Sequence, residues 1–288
     1  MSDRRKLGYN EYGPADGKPL FYFHGTPSSR IEWQMFGGDQ LATQLHLRII
    51  SIDRPGMGLS DFQVGRRLLD WPTDIAALAD ELGIDHFSIL AFSGGSPYAA
   101  VCALAIPERL TCVGIISGAG QFTETGIAEG INPMSRKFFD LCRDKPVQGR
   151  MMLRMMGTMA HYAPNRLIAQ SVSALPEPDQ SALKQPEVQQ WYLQTMREAQ
   201  RHGPRGAQHD TVLMVSPWEF RPQEIKMPVH LWHGEVDRDT PIAMGRSLAA
   251  AIPKSQAHFY PDEGHLSVFV NHVQNILNVF AIEVPTSV

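Results

Sequence analysis

The sequence predicts an α/β fold: a mostly parallel central sheet flanked by helices, with a helical lid inserted over one edge. Three observations carry that expectation. Short apolar runs, each closed by Gly, Pro or a polar turn, alternate with segments of helical spacing. The alternation breaks between about residues 121 and 226, where helical patterns and prolines occur without a strand signal. No fixed-period repeat and no low-complexity tract offers a competing organisation.

The apolar runs at residues 20–23, 48–52, 87–91, 112–116, 229–232 and 257–260 suit strands buried on both faces. A strand covered by helices above and below has no solvent side on which polar residues would alternate. Ile75, Leu78, Ala79 and Leu82 fall on one helical face, as do Val273, Ile276, Leu277 and Phe280. Strand followed by helix, repeated, means a parallel sheet with right-handed crossovers. The expected division is a core of residues 1–120 and 227–288 and a helical lid, or cap, of residues 121–226. The lid is rich in methionine, with Met134, Met151, Met152, Met155, Met156 and Met159. Ligands in open α/β sheets bind at the carboxyl ends of the strands. These thioethers are therefore expected either to pack helix on helix or to form an apolar wall over a site. Arg197, Arg201, His202 and Arg205 form an expected solvated face.

Composition bounds the function. With 43% hydrophobic and 19% charged residues among 288, the chain can bury a sizeable core. A net charge of -4 leaves no basic excess to neutralise a phosphate backbone, which excludes nucleic acid as an expected partner. Cys102, Cys112 and Cys142 are odd in number and lack C-x-x-C spacing, which argues against a disulfide framework and a zinc site. They are expected to be buried thiols of a cytoplasmic protein. Arg4, Arg5 and Lys6 are expected at a solvated terminus. Residues 7–17 supply no apolar stretch for a signal peptide. The most apolar region, residues 87–120, is interrupted twice by turn residues, so no membrane span is expected.

The run Ile89-Leu90-Ala91-Phe92-Ser93-Gly94-Gly95-Ser96-Pro97-Tyr98 passes from an apolar strand directly into a helix pattern. So tight a turn lifts its central side chain above the sheet and needs small neighbours two positions to either side. Ala91 and Gly95 are those neighbours. The helix N-terminus beyond offers unpaired N–H groups where an oxyanion would form.

These residues resemble the α/β-hydrolase fold superfamily, in its serine-nucleophile, esterase-like and lipase-like members with a cap domain. The nucleophile elbow of that family is written G-x-S-x-G, and Ala91 replaces its first glycine. Three further segments are similar to the family's motifs, in the family's order. His24-Gly25-Thr26-Pro27 resembles the HGxP turn that contributes an oxyanion-hole N–H. Asp53-Arg54-Pro55-Gly56-Met57-Gly58-Leu59-Ser60 resembles the D-R-P-G-x-G-x-S loop. His233-Gly234-Glu235-Val236-Asp237, then Thr240-Pro241, resembles the acid loop, and Glu263-Gly264-His265 follows the last strand.

The resemblance implies a Ser, Asp, His order of catalytic residues, and the chemistry agrees. A serine hydroxyl needs a base to take its proton, and imidazole titrates in the neutral range. Ser93 is therefore the expected nucleophile, His265 the base, and Asp237 the carboxylate that holds the imidazole in one tautomer. The N–H groups of Thr26 and Gly94 are the expected oxyanion hole. His24 is expected to be structural, and Asp53 and Arg54 to brace the glycine-rich loop. Asp239 rivals Asp237 for the acid, and Ser96 sits a helical turn late. An aspartate at the elbow would have implied an epoxide hydrolase or a haloalkane dehalogenase. With serine there, the expected activity is hydrolysis of a carboxylic ester or lactone through an acyl-enzyme, on a small to medium apolar molecule. A carbon-carbon bond hydrolase, or a triad-bearing ligand receptor or signalling protein, stays open. No cofactor and no metal is expected; oligomeric state is not legible.

Overall fold

The computed structural model describes residues 4–281. Its strands are β1 (Tyr9–Tyr12), β2 (Lys18–Phe23), β3 (Leu47–Ile52), β4 (Phe87–Phe92), β5 (Leu110–Ile116), β6 (Val229–Gly234) and β7 (Ser255–Tyr260). They form one sheet in the order β1-β3-β2-β4-β5-β6-β7. All neighbours pair in parallel except β1, which runs antiparallel to β3 from Tyr9 opposite Ile52 to Tyr12 opposite Ile49. The six expected strands are present. β1, with the sequence Tyr-Asn-Glu-Tyr, has no apolar run because it is an edge strand with one neighbour.

The crossovers that make the sheet parallel are α1 (Gly38–Gln44), α2 (Trp71–Glu81) and α3 (Ser96–Ala105). Between β5 and β6 come α4 (Pro133–Asp144), α5 (Pro146–Tyr162), α6 (Pro164–Ala174), α7 (Glu177–Leu183), α8 (Pro186–Ala199) and α9 (Arg205–Val215). After the insertion come α10 (Ile242–Ala251), between β6 and β7, and α11 (Ser267–Ala281), with which the described residues end. Prolines occupy the first turn of α4 through α8, where a missing N–H costs no helical hydrogen bond. That explains how a proline-rich stretch is nevertheless helical.

Strand side chains alternate between two cores. Phe21, Phe23, Ile50, Ile52, Ile89 and Ala91 pack with α2 and α3 on one face. Leu20, Tyr22, Ile49, Leu90 and Phe92 pack on the other with Phe269, Ile276, Leu277 and Phe280 of α11. Every residue of β4 is buried, as a central strand covered on both sides requires. From β2 the chain moves outward to β3, then returns across β2 to β4 and on to β5. The strand order thus reverses between β2 and β4, the switch point at whose carboxyl ends open α/β sheets bind ligands. The turn after Phe23 and the turn after Phe92 both lie at that point.

Several expectations change. Trp218, Phe220 and Ile225, expected from sequence in the insertion, pack in the core beside α3. Arg5 is not freely solvated: its guanidinium donates twice to the Asp74 carboxylate, at 2.9 and 3.1 Å. Cys102 and Cys142 are buried but Cys112 is half-buried, and burial pushes the Cys112 and Cys142 thiols up to about 12. The methionines of α5 divide: Met152 packs near Met57 and Met214, Met156 and Met159 pack against Leu167 and Met196, and Met151 and Met155 face solvent. Met152, Met156 and Met159 thus follow the helix-packing alternative, and Met151 and Met155 form no wall over a site. Among the described residues, no helix is long and apolar enough to cross a membrane.

Candidate functional site

Ser93 sits at the strand-to-helix turn with φ of +53°, a left-handed conformation that an L-residue adopts only when its surroundings hold it there. Close packing holds it. A Cβ placed on Gly95 would lie 2.5 Å from the Phe23 carbonyl oxygen, so only glycine lets the elbow lie against the end of β2. A Cβ on Gly94 would meet Thr26 Oγ1 at 2.5 Å and Met214 Sδ at 3.1 Å. The elbow, the His24-Gly25-Thr26 turn and α9 therefore converge on one spot. Ser93 is half-buried, whereas Ser96 is fully buried on α3 and donates its hydroxyl to the Ala119 carbonyl at 2.8 Å.

His265 lies in the loop between β7 and α11. Phe92, the residue before Ser93, places its ring 5.1 Å from the imidazole, which brings the histidine loop to the carboxyl end of β4. Nδ1 of His265 donates to Asp237 Oδ2 at 2.7 Å. Asp237 is buried, and its other oxygen accepts the backbone N–H groups of Asp239 and Thr240 at 2.8 and 2.9 Å. Burial alone would raise this carboxyl; the imidazole of His265 and the nearby His233 outweigh it and hold Asp237 well below the usual carboxylate range. Burial likewise opposes charge on His265, but the Asp237 carboxylate prevails and raises the imidazole to about 9. Asp239 points elsewhere and accepts the Ser135 hydroxyl of α4 at 2.6 Å.

His24 is buried beneath the turn, with Nδ1 2.7 Å from the Gly25 carbonyl and Nε2 3.3 Å from the Arg54 N–H. Burial and the Arg54 charge lower its pKa well below the ordinary imidazole value, so it stays neutral. Asp53 accepts from the N–H and guanidinium of Arg30 at 2.7 and 2.8 Å and from the Leu59 N–H at 2.8 Å, bracing the glycine-rich loop as expected. Arg54 does something else. It reaches under the turn to the carbonyls of His24 and Gly25, to Thr26 Oγ1 at 2.7 Å and to Asp210 at 2.8 Å.

Asp210, on α9, is one of two acids of the inserted helices that sequence reasoning missed. It accepts from Arg54, from Arg66 at 2.8 Å, from the Tyr98 hydroxyl at 2.7 Å and from the Thr26 hydroxyl at 2.6 Å. Burial would raise its carboxyl, but the two guanidiniums drive it far below the usual range. Asp179, on α7, is the other: it accepts the backbone N–H groups of His265, Leu266 and Ser267 at 2.8, 2.8 and 2.9 Å. Buried Glu32 completes the turn, accepting the Gly25 N–H at 2.8 Å and the Tyr22 hydroxyl at 2.6 Å. A local signal did exist. Asp179 shares a helical stripe with buried Ala182 and Leu183, and Asp210 with Ala207, Thr211 and Met214. An acid on the apolar stripe of a helix requires a buried partner.

The arrangement offers a hydroxyl on a left-handed turn, an imidazole paired with a buried carboxylate, and the Gly25-Thr26 turn packed against the elbow. Among the described residues, no group of three or more His, Cys, Asp and Glu could hold a metal ion.

Known proteins resemble most of the chain at low identity. It is 26% identical over 262 residues to a non-heme chloroperoxidase of Streptomyces lividans, covering 88% of this chain and 84% of that one. A bifunctional esterase/perhydrolase of Acinetobacter calcoaceticus is 23% identical over 89% of this chain and 88% of its own. A 2-hydroxy-6-oxononadienedioate/2-hydroxy-6-oxononatrienedioate hydrolase of Pseudomonas putida is 26% identical over 90% and 85%. The crystal structure of a hydrolase from Pseudomonas aeruginosa superposes with a TM-score of 0.71 at 18% identity, over 98% of this chain and 97% of the other, and shows the shared fold. The family model of the alpha/beta hydrolase fold matches residues 18–272, so the chain belongs to the alpha/beta hydrolase family.

Proposed function

We propose that the protein is a serine hydrolase that cleaves a carboxylic ester or lactone of small to medium apolar character. Ser93 is the nucleophile, His265 the general base and Asp237 its orienting acid. One observation carries this most strongly: Ser93 crowns a left-handed turn at the carboxyl end of central strand β4, beside the loop where His265 pairs with Asp237 at 2.7 Å. In the first half-reaction Nε2 of His265 takes the Ser93 proton as Oγ bonds to the ester carbonyl carbon. Asp237 stabilises the imidazolium. The N–H groups of Thr26 and Gly94 receive the developing oxyanion, and the alcohol leaves with the proton from His265. Water, deprotonated by His265, then attacks the acyl-Ser93 carbonyl; the bond to Oγ breaks, His265 returns the proton to Ser93, and the acid is released. The inserted helices serve as the cap, with Met214 beside the elbow as an apolar contact for the acyl group.

A panel of p-nitrophenyl and lactone substrates graded by acyl length tests this, together with labelling by a fluorophosphonate. Turnover with labelling confined to Ser93 is expected; labelling elsewhere, or no turnover on any ester or lactone, would count against it. The likeness to the Pseudomonas putida enzyme favours a second use of the same residues, cleavage of a carbon-carbon bond in a dienoate. Turnover of such a dienoate with inert esters would decide for that chemistry.

A further inference from the structure

The exposed methionines of α5 belong to a surface that the proposed hydrolysis does not use. α5 buries Gly149, Leu153 and Ala160 against its neighbours. On the opposite side Val147, Met151, Met155 and Tyr162 are 61%, 66%, 55% and 79% exposed. At about 100° per residue these four lie within roughly 80° of one another, as one stripe. Single exposed apolar residues are ordinary, whereas a contiguous stripe marks a surface that meets something.

Charge says what it meets. Arg150, Arg154 and His161 line one flank of the stripe, and no Asp or Glu occurs from residue 145 to residue 176. Seven of the chain's 26 Lys and Arg lie within residues 133–176, against two of its 30 Asp and Glu. The net charge of the whole chain is -4, so this basic character is local. A second copy docking face to face would press like flanks together, which costs energy wherever the charges meet. An anionic bilayer satisfies both halves of the surface. Flexible thioethers and the Tyr162 ring can enter the headgroup region, while the arginine stems lie along it with their charges at the phosphates.

We propose that α5 docks this protein on an anionic lipid surface, with Val147, Met151, Met155 and Tyr162 inserted and Arg150 and Arg154 on lipid phosphates. The binding is peripheral and reversible. It is independent of which bond the enzyme cleaves.

Flotation of the purified full-length protein with vesicles tests it, comparing phosphatidylcholine alone with phosphatidylcholine containing phosphatidylglycerol. The protein should float with the anionic vesicles at low salt and be released as salt rises. Met151→Ser with Met155→Ser, and separately Arg150→Glu with Arg154→Glu, should each lower the bound fraction about tenfold or more. The thermal midpoint should stay unchanged for the methionine pair, whose side chains face solvent, and shift little for the arginine pair, in which half-buried Arg150 reaches Gln208 at 3.4 Å. No flotation with either vesicle overturns the proposal, as does equal, salt-insensitive flotation with both. A wild-type dimer in light scattering that both double variants dissociate would overturn it in favour of a second copy.

Discussion

Asp179 accepts the backbone N–H of His265 at 2.8 Å, and with it those of the next two residues, although 86 residues separate the pair in sequence. The carboxylate of an inserted helix thus pins the loop that carries the proposed base and closes the N-terminal end of α11. Asp179→Asn keeps the shape but turns an amide donor toward backbone donors. We expect kcat to fall about ten- to a hundredfold with little change in KM, since a displaced base loses reactivity more than binding. Steady-state kinetics with a circular-dichroism melt check this. A KM effect with unchanged kcat would contradict it.

The two candidate acids separate by pH. His265 must be neutral to take the Ser93 proton, and Asp237 holds it at about 9, so kcat/KM should rise with pH and level off above that value. In Asp237→Asn the rising limb should move toward the ordinary imidazole range near 6.5, while the plateau drops by orders of magnitude. Asp239→Asn keeps an acceptor for the Ser135 hydroxyl and should stay within about threefold of wild type. The reverse ranking would move the acid to Asp239.

Asp210 ties the insertion to the turn that carries Thr26. Asp210→Asn leaves Arg54 and Arg66 buried without a countercharge, and we expect a loss of about 3 kcal/mol or more in urea unfolding. Its carboxyl is depressed in the folded state, so its contribution is full at neutral pH. That contribution is lost progressively as pH falls below the unfolded carboxylate value near 4. The variant should lack that part of the acid dependence. An unfolding curve unchanged at pH 7 would contradict it.

Much of the sheet was legible because a strand buried on both faces writes its burial into four to six consecutive residues, as at Ile89 to Phe92. The elbow was legible for a similar reason. The small neighbours its geometry demands, Ala91 and Gly95, sit two positions from Ser93. For Asp179 and Asp210 the apolar stripe shows only that each needs a buried partner, not which one, because those partners are 86 to 184 residues away. The methionines of α5 show the same limit. Spacing reveals a helix, but which face meets a neighbour depends on α8 and α9, which come later in the chain.

Met214 is the thioether that packs beside Gly94. Met214→Ala should shift the preferred acyl length of the ester series, because one methylene in an apolar contact is worth roughly 1–3 kcal/mol of transition-state binding. Met155→Ser, on the solvent face of α5, should leave the profile as it is. The opposite pattern would return the apolar wall to α5.

The most direct measurement is kcat/KM of Ser93→Ala on the best ester or lactone, set against wild type under the same conditions. A fall of about a thousandfold or more is predicted, because the nucleophile and its base act as one unit. Near wild-type turnover in Ser93→Ala would contradict the assignment of Ser93 as nucleophile.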